Sequence, residues 1–185
     1  MPATDLAVRS LSQLVVIDVQ ERLAAAMDQD AMTSVARYCD ILLQASHLLD
    51  VPAICTEQYP KGLGNTIAGL QDSLGHACRI EKTAFSCYAV PAFRERLHAD
   101  RPQIVLAGME AHICVLQTAL QLQRDGYQAI VAEDAVLSRD PANKANALPR
   151  LRQAGVIISN TESIVFEWLG IAEGEAFKAV SRLVR

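Results

Sequence analysis

The chain has 185 residues, 51% of them hydrophobic and 21% charged, with a formal net charge of −4. That length suits one domain and buries a sizeable core, roughly 70% of the unfolded surface, and the composition excludes a disordered or collagen-like chain. No Lys/Arg-rich run supplies an electrostatic reason to expect nucleic acid or an acidic membrane, and no apolar stretch approaches the ~20 residues of a membrane span.

"QLVVIDV" (13–19) is a short β-branched apolar run and predicts a buried strand. In 31–49, Val35, Tyr38, Ile41, Leu42, Ala45, Leu48 and Leu49 make one helical stripe. "VPAICTE" (51–57) is a second strand, with Pro52 tolerable at its start. "QYPKGLGNT" (58–66) carries turn chemistry and predicts a loop. "CRIEKTAF" (78–85) is the third strand, and 90–100 is a short helix with Pro91 near its first turn. "QIVLAGM" (103–109) is the fourth strand, and 112–126 is a helix stopped by Gly126. "YQAIVAEDA" (127–135) is the fifth strand. The next helix covers 141–155, where Pro149 predicts a kink or break. "VIISN" (156–160) is the sixth strand. Ser159 and Glu162 have capping-box spacing ahead of "SIVFEWLG", and a last amphipathic helix is expected over 174–184.

This alternation predicts an α/β fold, a parallel sheet covered on both faces, in one domain over 1–185. Sites in such sheets gather beyond the carboxyl ends of the strands. Asp18 ends the first strand, Glu57 and Gln58 the second, and Lys82 lies late in the third. Met109 and Glu110 end the fourth, with Cys114 beyond, and Asp134 ends the fifth. Asp18, Lys82 and Cys114 make a chemical set. A thiol at a helix N-terminus feels the positive end of the dipole, and a nearby ammonium adds to it; both favour thiolate. A carboxylate opposes ionisation but accepts the thiol proton as a base. Backbone amides around 110–114 suit an oxyanion hole. The plainer readings are a packing cysteine, a capping aspartate and a solvated lysine.

Cys39, Cys55, Cys78 and Cys87 read as packing residues. The five cysteines include no C-x-x-C pair, so a zinc ribbon, a thioredoxin-like site and a disulfide framework are unsupported. A reducing compartment fits. The start "MPATDLAVRS" lacks an apolar signal region, so the expected location is cytoplasmic.

"VVIDVQ" with Asp18, "EKTAFS" with Lys82 and "AGMEAHICVLQTAL" with Cys114 resemble the isochorismatase-like cysteine hydrolases, a superfamily that includes isochorismatases, nicotinamidases and N-carbamoyl amidases. "TEQYPKGLGNT", "AEDAVLSR" and "LRQAGVIISNTES" are similar to its small isochorismatase-domain branch, so the resemblance covers nearly the whole chain. It implies a three-layer α/β/α fold whose six-stranded parallel sheet is ordered 3-2-1-4-5-6. It implies a triad of Asp18 as base, Lys82 as orienting charge and Cys114 as nucleophile. It also implies a non-proline cis peptide between Met109 and Glu110 that aims the amides of Glu110 and Cys114 at an oxyanion. Leu23, Tyr59, Leu63, Phe85 and Tyr88 are candidate pocket walls, or else core or interface. Nicotinamidases hold a metal through an Asp-x-His pair and further histidines after the second strand. "TEQYPKGLG" has no histidine there, and His47, His76, His98 and His112 show no ligand spacing, so no metal and no cofactor is expected. His112 stands where many relatives have aspartate; it reads as a satisfied helix-end residue or as a pH-dependent one.

The leading expectation is therefore a metal-independent cysteine hydrolase of a small amide, imide or related substrate, working through a covalent Cys114 intermediate. The alternative is a non-catalytic oligomeric binding or scaffolding protein that retains the fold. A thiol phosphatase needs Cys-x5-Arg, and position 120 is Leu; a Rossmann dehydrogenase needs a glycine-rich turn, which "DVQERL" lacks. The partners implied are a small-molecule substrate and further copies of the chain in a homo-oligomer, with no nucleic acid and no membrane. "IVFEWLGIAEGEAFKAV" offers Phe166, Trp168 and Phe177 for that interface, with core packing as the alternative.

Overall fold

The computed structural model describes residues 5–185, with His76 described by its backbone alone. The readings that touch residues 1–4 and the His76 side chain lie outside the described residues. The strands are β1 (Ser12–Ile17), β2 (Ala53–Gln58), β3 (Cys78–Lys82), β4 (Gln103–Met109), β5 (Gln128–Leu137) and β6 (Ile157–Ser159). The helices are α1 (Glu21–Ala25), α2 (Gln29–Leu48), α3 (Pro60–Leu63), α4 (Pro91–Arg94), α5 (Leu116–Arg124), α6 (Pro141–Gln153), α7 (Thr161–Leu169) and α8 (Gly174–Leu183). All six strands are parallel, in the order β3-β2-β1-β4-β5-β6.

The reason for the layers is visible in β1. It is buried along its whole length, and successive side chains point to opposite faces. Leu14 and Val16 join a core with Val35 and Leu42 of α2, Ile164 and Trp168 of α7 and Val180 of α8. Val15 and Ile17 join the opposite core with Leu116 and Leu122 of α5 and Ala147 and Leu151 of α6. A central strand of a doubly covered sheet must be apolar on both faces, which is why it reads as a continuous run rather than an alternating one.

Several expected elements change. The loop over 58–66 contains a turn of helix, α3, and β3 stops at Lys82. The helix expected over 90–100 is only Pro91–Arg94. β5 runs past 135 to Leu137 because it bulges: two steps of β4 (Leu106 to Gly108) face five of β5 (Val131 to Val136). Asp134 lies in that bulge and does not end the strand. Its carboxylate accepts from the amide and hydroxyl of Thr161 at 2.9 Å each, at the start of α7. The Ser159 capping box is not used. Ser159 belongs to β6, and the Asn160 side chain accepts from the Ser163 amide at 2.9 Å instead. α6 is not broken at Pro149. Pro149 and Ala145, the residue whose carbonyl loses its partner, are both exposed, so water can take that hydrogen bond. Trp168 is core, whereas the rings of Phe166 and Phe177 pack edge to face at 6.3 Å toward the surface. Among the described residues, no helix is long and apolar enough to cross a membrane.

Candidate active site

Asp18 is the first residue past β1. Its backbone is left-handed, with φ 52°, a conformation that aspartate tolerates better than most residues. Its amide donates to the Thr56 carbonyl at 3.0 Å. Its side chain is fully buried, and Oδ2 accepts from Lys82 Nζ at 2.6 Å. Oδ1 accepts from the Thr56 hydroxyl at 2.7 Å. Lys82 Nζ also reaches Gln58 Oε1 at 2.7 Å and the carbonyls of Phe85 and Ala84 at 3.2 and 3.3 Å. An ammonium has three protons, and four acceptors surround this one. Lys82 therefore contributes charge rather than a free donor. Burial works against its charged form, but Asp18, Cys87 and Cys114 outweigh burial and its pKa is raised.

Thr56 is the residue the sequence analysis missed, and Gln58, named there only as a strand-end residue, joins it in the cluster. They alternate on β2 and so share one face. β2 lies between β1 and β3, which puts Thr56 under Asp18 and Gln58 under Lys82. The expected sheet order was the signal that marks them. Gln20 secures the same strand end: its Oε1 accepts from the Gln58 amide at 2.6 Å, and its Nε2 donates to the Gly64 carbonyl at 2.6 Å. Cys87 was read as packing. It is buried as expected, but its Sγ is 3.7 Å from the Thr56 hydroxyl, at the edge of the cluster.

Cys114 sits in a π-helical turn, Ala111–Val115, that opens α5. Such turns are rare and tend to occur at functional sites. The Glu110 carbonyl accepts from the amides of Ile113 (3.0 Å) and Val115 (3.3 Å), the residues on either side of Cys114. The Cys114 side chain lies close enough to Asp18 for the carboxylate to act on its thiol, and the residue is 7% exposed. The thiol is pushed up to about 12 by burial and the Asp18 carboxylate, against the opposing pull of Lys82. The expected balance of dipole and ammonium toward thiolate is therefore reversed: the resting sulfur is a protonated thiol beside a carboxylate. The thiolate fraction then climbs through the whole neutral range. Alkylation of Cys114 by iodoacetamide should rise about tenfold per unit from pH 7 to pH 10. Peptide-resolved mass spectrometry checks this, and a plateau near pH 8–9, where a free thiol titrates, would contradict it.

The frame around the turn is rigid. Gly108 of β4 lies against β1, with φ 108°. The peptide bond between Met109 and Glu110 is cis. The Met109 side chain is buried in the core on the α2 face. The Glu110 carboxylate accepts from the Arg139 amide at 2.9 Å and from Arg139 Nε at 3.1 Å. His112 Nδ1 lies 2.9 Å from the Ser138 hydroxyl, so the satisfied helix-end reading describes its contact.

The five candidate wall residues divide. Tyr59 and Phe85 are exposed, and Leu23 and Leu63 are half-buried. Of these, Tyr59 lines a cleft of about 570 Å³, together with Lys61, Lys82, Ala84 and Val90. Tyr88 points elsewhere. Its ring packs on Tyr127 and under Arg94, and burial and nearby Asp125, at the far end of α5, raise the pKa of its hydroxyl. Eleven residues of helix separate Asp125 from Cys114, about 16 Å of rise, so Tyr88 is not a wall of this site. Among the described residues, no three His, Cys, Asp or Glu side chains converge as metal ligands.

A doubly covered parallel sheet with a thiol, a carboxylate and an ammonium gathered past its strands defines a three-layer α/β protein of hydrolase type. The isochorismatase domain model matches residues 12–163, and the chain belongs to the isochorismatase family. It is 37% identical to isochorismatase domain-containing protein 2 of Bos taurus, across 100% of this chain and 88% of that protein. It is 36% identical to the secreted isochorismatase effector Isc1 of Phytophthora sojae, across 94% of this chain and 84% of that one. The solved MAR1 ribonuclease of Caenorhabditis elegans superposes with a TM-score of 0.87 at 32% identity, covering 97% and 92% of the two chains.

Proposed function

We propose that this protein is a metal-independent cysteine hydrolase of a small amide, imide or related substrate. The observation that carries the reading is the buried Asp18 carboxylate, held by Lys82 at 2.6 Å and Thr56 at 2.7 Å, close enough to Cys114 to act on its thiol. Cys114 Sγ adds to the substrate carbonyl as its proton passes to Asp18. The oxyanion forms beside the amides of Glu110 and Cys114. The C–N bond then breaks, and the leaving nitrogen takes the proton from Asp18. Water adds to the thioester and gives a proton to Asp18. The C–S bond breaks, and the sulfur takes that proton back. The products are an acid and an amine, and the thiol is restored. Lys82 keeps charge at the base nearly balanced throughout.

Proton transfer concerted with attack suits a thiol that is not ionised at rest. An RNA substrate, suggested by the name of the nematode relative, gains nothing from a net charge of −4 without a basic run. The test is a panel of small amides and imides, with an RNA arm, followed by turnover and by intact and peptide mass. An acyl adduct on Cys114 with release of amine or ammonia is the expected result. RNA cleavage without any adduct from the panel would overturn the reading.

A further inference from the structure

We infer that Ser86, through its hydrogen bond to Gln121, is a positioning residue for the reaction. It clamps the segment that fixes the Lys82 ammonium to the helix that carries Cys114. This rests on the hydrolase reading above and extends it to a residue that touches no reacting atom. Two of the four acceptors around Lys82 Nζ are backbone carbonyls just beyond its own strand, Phe85 at 3.2 Å and Ala84 at 3.3 Å. The aim of those carbonyls therefore helps to decide where the ammonium stands. Residues 83–86 belong to no helix or strand, so no ladder sets that aim. Packing does not set it either, because Ala84 is small and the Phe85 side chain is exposed. Hydrogen bonds from side chains are what remains.

Three such bonds hold the segment. On the sheet side, Gln58 Nε2 donates to the Thr83 carbonyl at 2.7 Å. On the helix side, the Ser86 hydroxyl donates to Gln121 Oε1 at 2.6 Å, and the Cys87 amide donates to Thr118 Oγ1 at 2.9 Å. Thr118 and Gln121 are three residues apart on α5 and are neighbours on its surface. Cys114 lies four residues before Thr118, in the turn that opens the same helix. Ser86 is buried, so little water competes for its bond. The segment thus joins the cation of the site to the helix of its thiol, and Ser86 supplies the side-chain donor of that join.

The test reads Lys82 by acetylation with acetic anhydride in full-length wild type, Ser86→Ala, Ser86→Thr and Gln121→Leu. Peptide mass spectrometry follows Lys82 against the exposed Lys178. Iodoacetamide labelling of Cys39, buried on the opposite face of the sheet, gauges global opening. In the wild type Lys82 is protected, since its side chain is fully buried. Its acetylation relative to Lys178 should rise about fivefold in Ser86→Ala and in Gln121→Leu, the loss of one buried hydrogen bond. Cys39 should be unchanged, and Ser86→Thr, which keeps the hydroxyl, should stay at the wild-type ratio. On an amide that the wild type hydrolyses, kcat per folded molecule should fall in the same two variants with KM held. Protection of Lys82 kept in both Ser86→Ala and Gln121→Leu overturns the proposal. So does protection lost in step with Cys39, which would mean that Ser86 only supports the fold, and so does lost protection with kcat unchanged. Labelling needs no turnover, so this failure is told apart from failure of the hydrolase reading, which turns on the adduct at Cys114.

Discussion

Cys114→Ala lowers kcat/KM on any amide the wild type hydrolyses by at least about 10³-fold while the protein stays folded. A loss of that size is about 4 kcal/mol of transition-state stabilisation. Truncating a small buried side chain costs stability of about 1 kcal/mol, so the two effects separate cleanly. The separation is the useful part. A packing cysteine, the plainer sequence reading, would lose stability and leave turnover nearly intact. A nucleophile does the reverse. The alanine variant keeps the Asp18–Lys82 pair at 2.6 Å and the Thr56 and Gln58 contacts beneath it, none of which depends on the sulfur. Steady-state kinetics with urea unfolding on the same preparation decides the matter. Retention of more than a tenth of the activity would remove Cys114 from the mechanism.

The sheet was legible because every strand of a covered parallel sheet is an apolar run, and each run here is followed by helix-period sequence or turn residues. The rule that sites lie beyond strand carboxyl ends then selected Asp18, Lys82 and Cys114 from many charged and sulfur side chains. What stayed hidden has physical causes. The π turn depends on i→i−5 bonds from Val115 to the Glu110 carbonyl and from Leu116 to the Ala111 carbonyl, and no side-chain pattern encodes them. The bulge in β5 is a register choice between strands, settled by tertiary packing that frees Asp134 to cap α7. Tyr88 follows the strand-3 loop in sequence, yet its ring is drawn to Tyr127 and Arg94. The state of the Cys114 thiol turned on a competition of opposed effects. Burial and a carboxylate outweighed the ammonium, and the depth of burial is known only once the chain is folded.

Gly108→Ala should destabilise the protein by at least about 3 kcal/mol, near the top of what one substitution does. Two costs are present and can be told apart. The first is conformational, since φ is 108° and a Cβ disfavours that region. The second is steric. A Cβ at Gly108 would lie 2.0 Å from the Ile17 carbonyl oxygen, 2.7 Å from its nitrogen and 2.8 Å from its carbonyl carbon. These are backbone atoms of β1, so no rotamer change relieves them; β1 and β4 must part. Gly126 isolates the first cost, because its φ is 92° and nothing lies within 4 Å of its Cβ position. Gly126→Ala should therefore cost only about 1 kcal/mol. Ile17 immediately precedes Asp18, and Gly108 immediately precedes Met109, whose bond to Glu110 is cis and leads to Cys114. Parting the strands there moves the carboxylate away from the thiol as well as loosening the core. Whatever fraction of Gly108→Ala folds should have lost activity beyond what its folded population explains, whereas Gly126→Ala keeps wild-type turnover per folded molecule. Chemical denaturation and kinetics of the two variants side by side measure both effects. Equal destabilisation would mean that φ, not the contact with β1, is why glycine stands at 108.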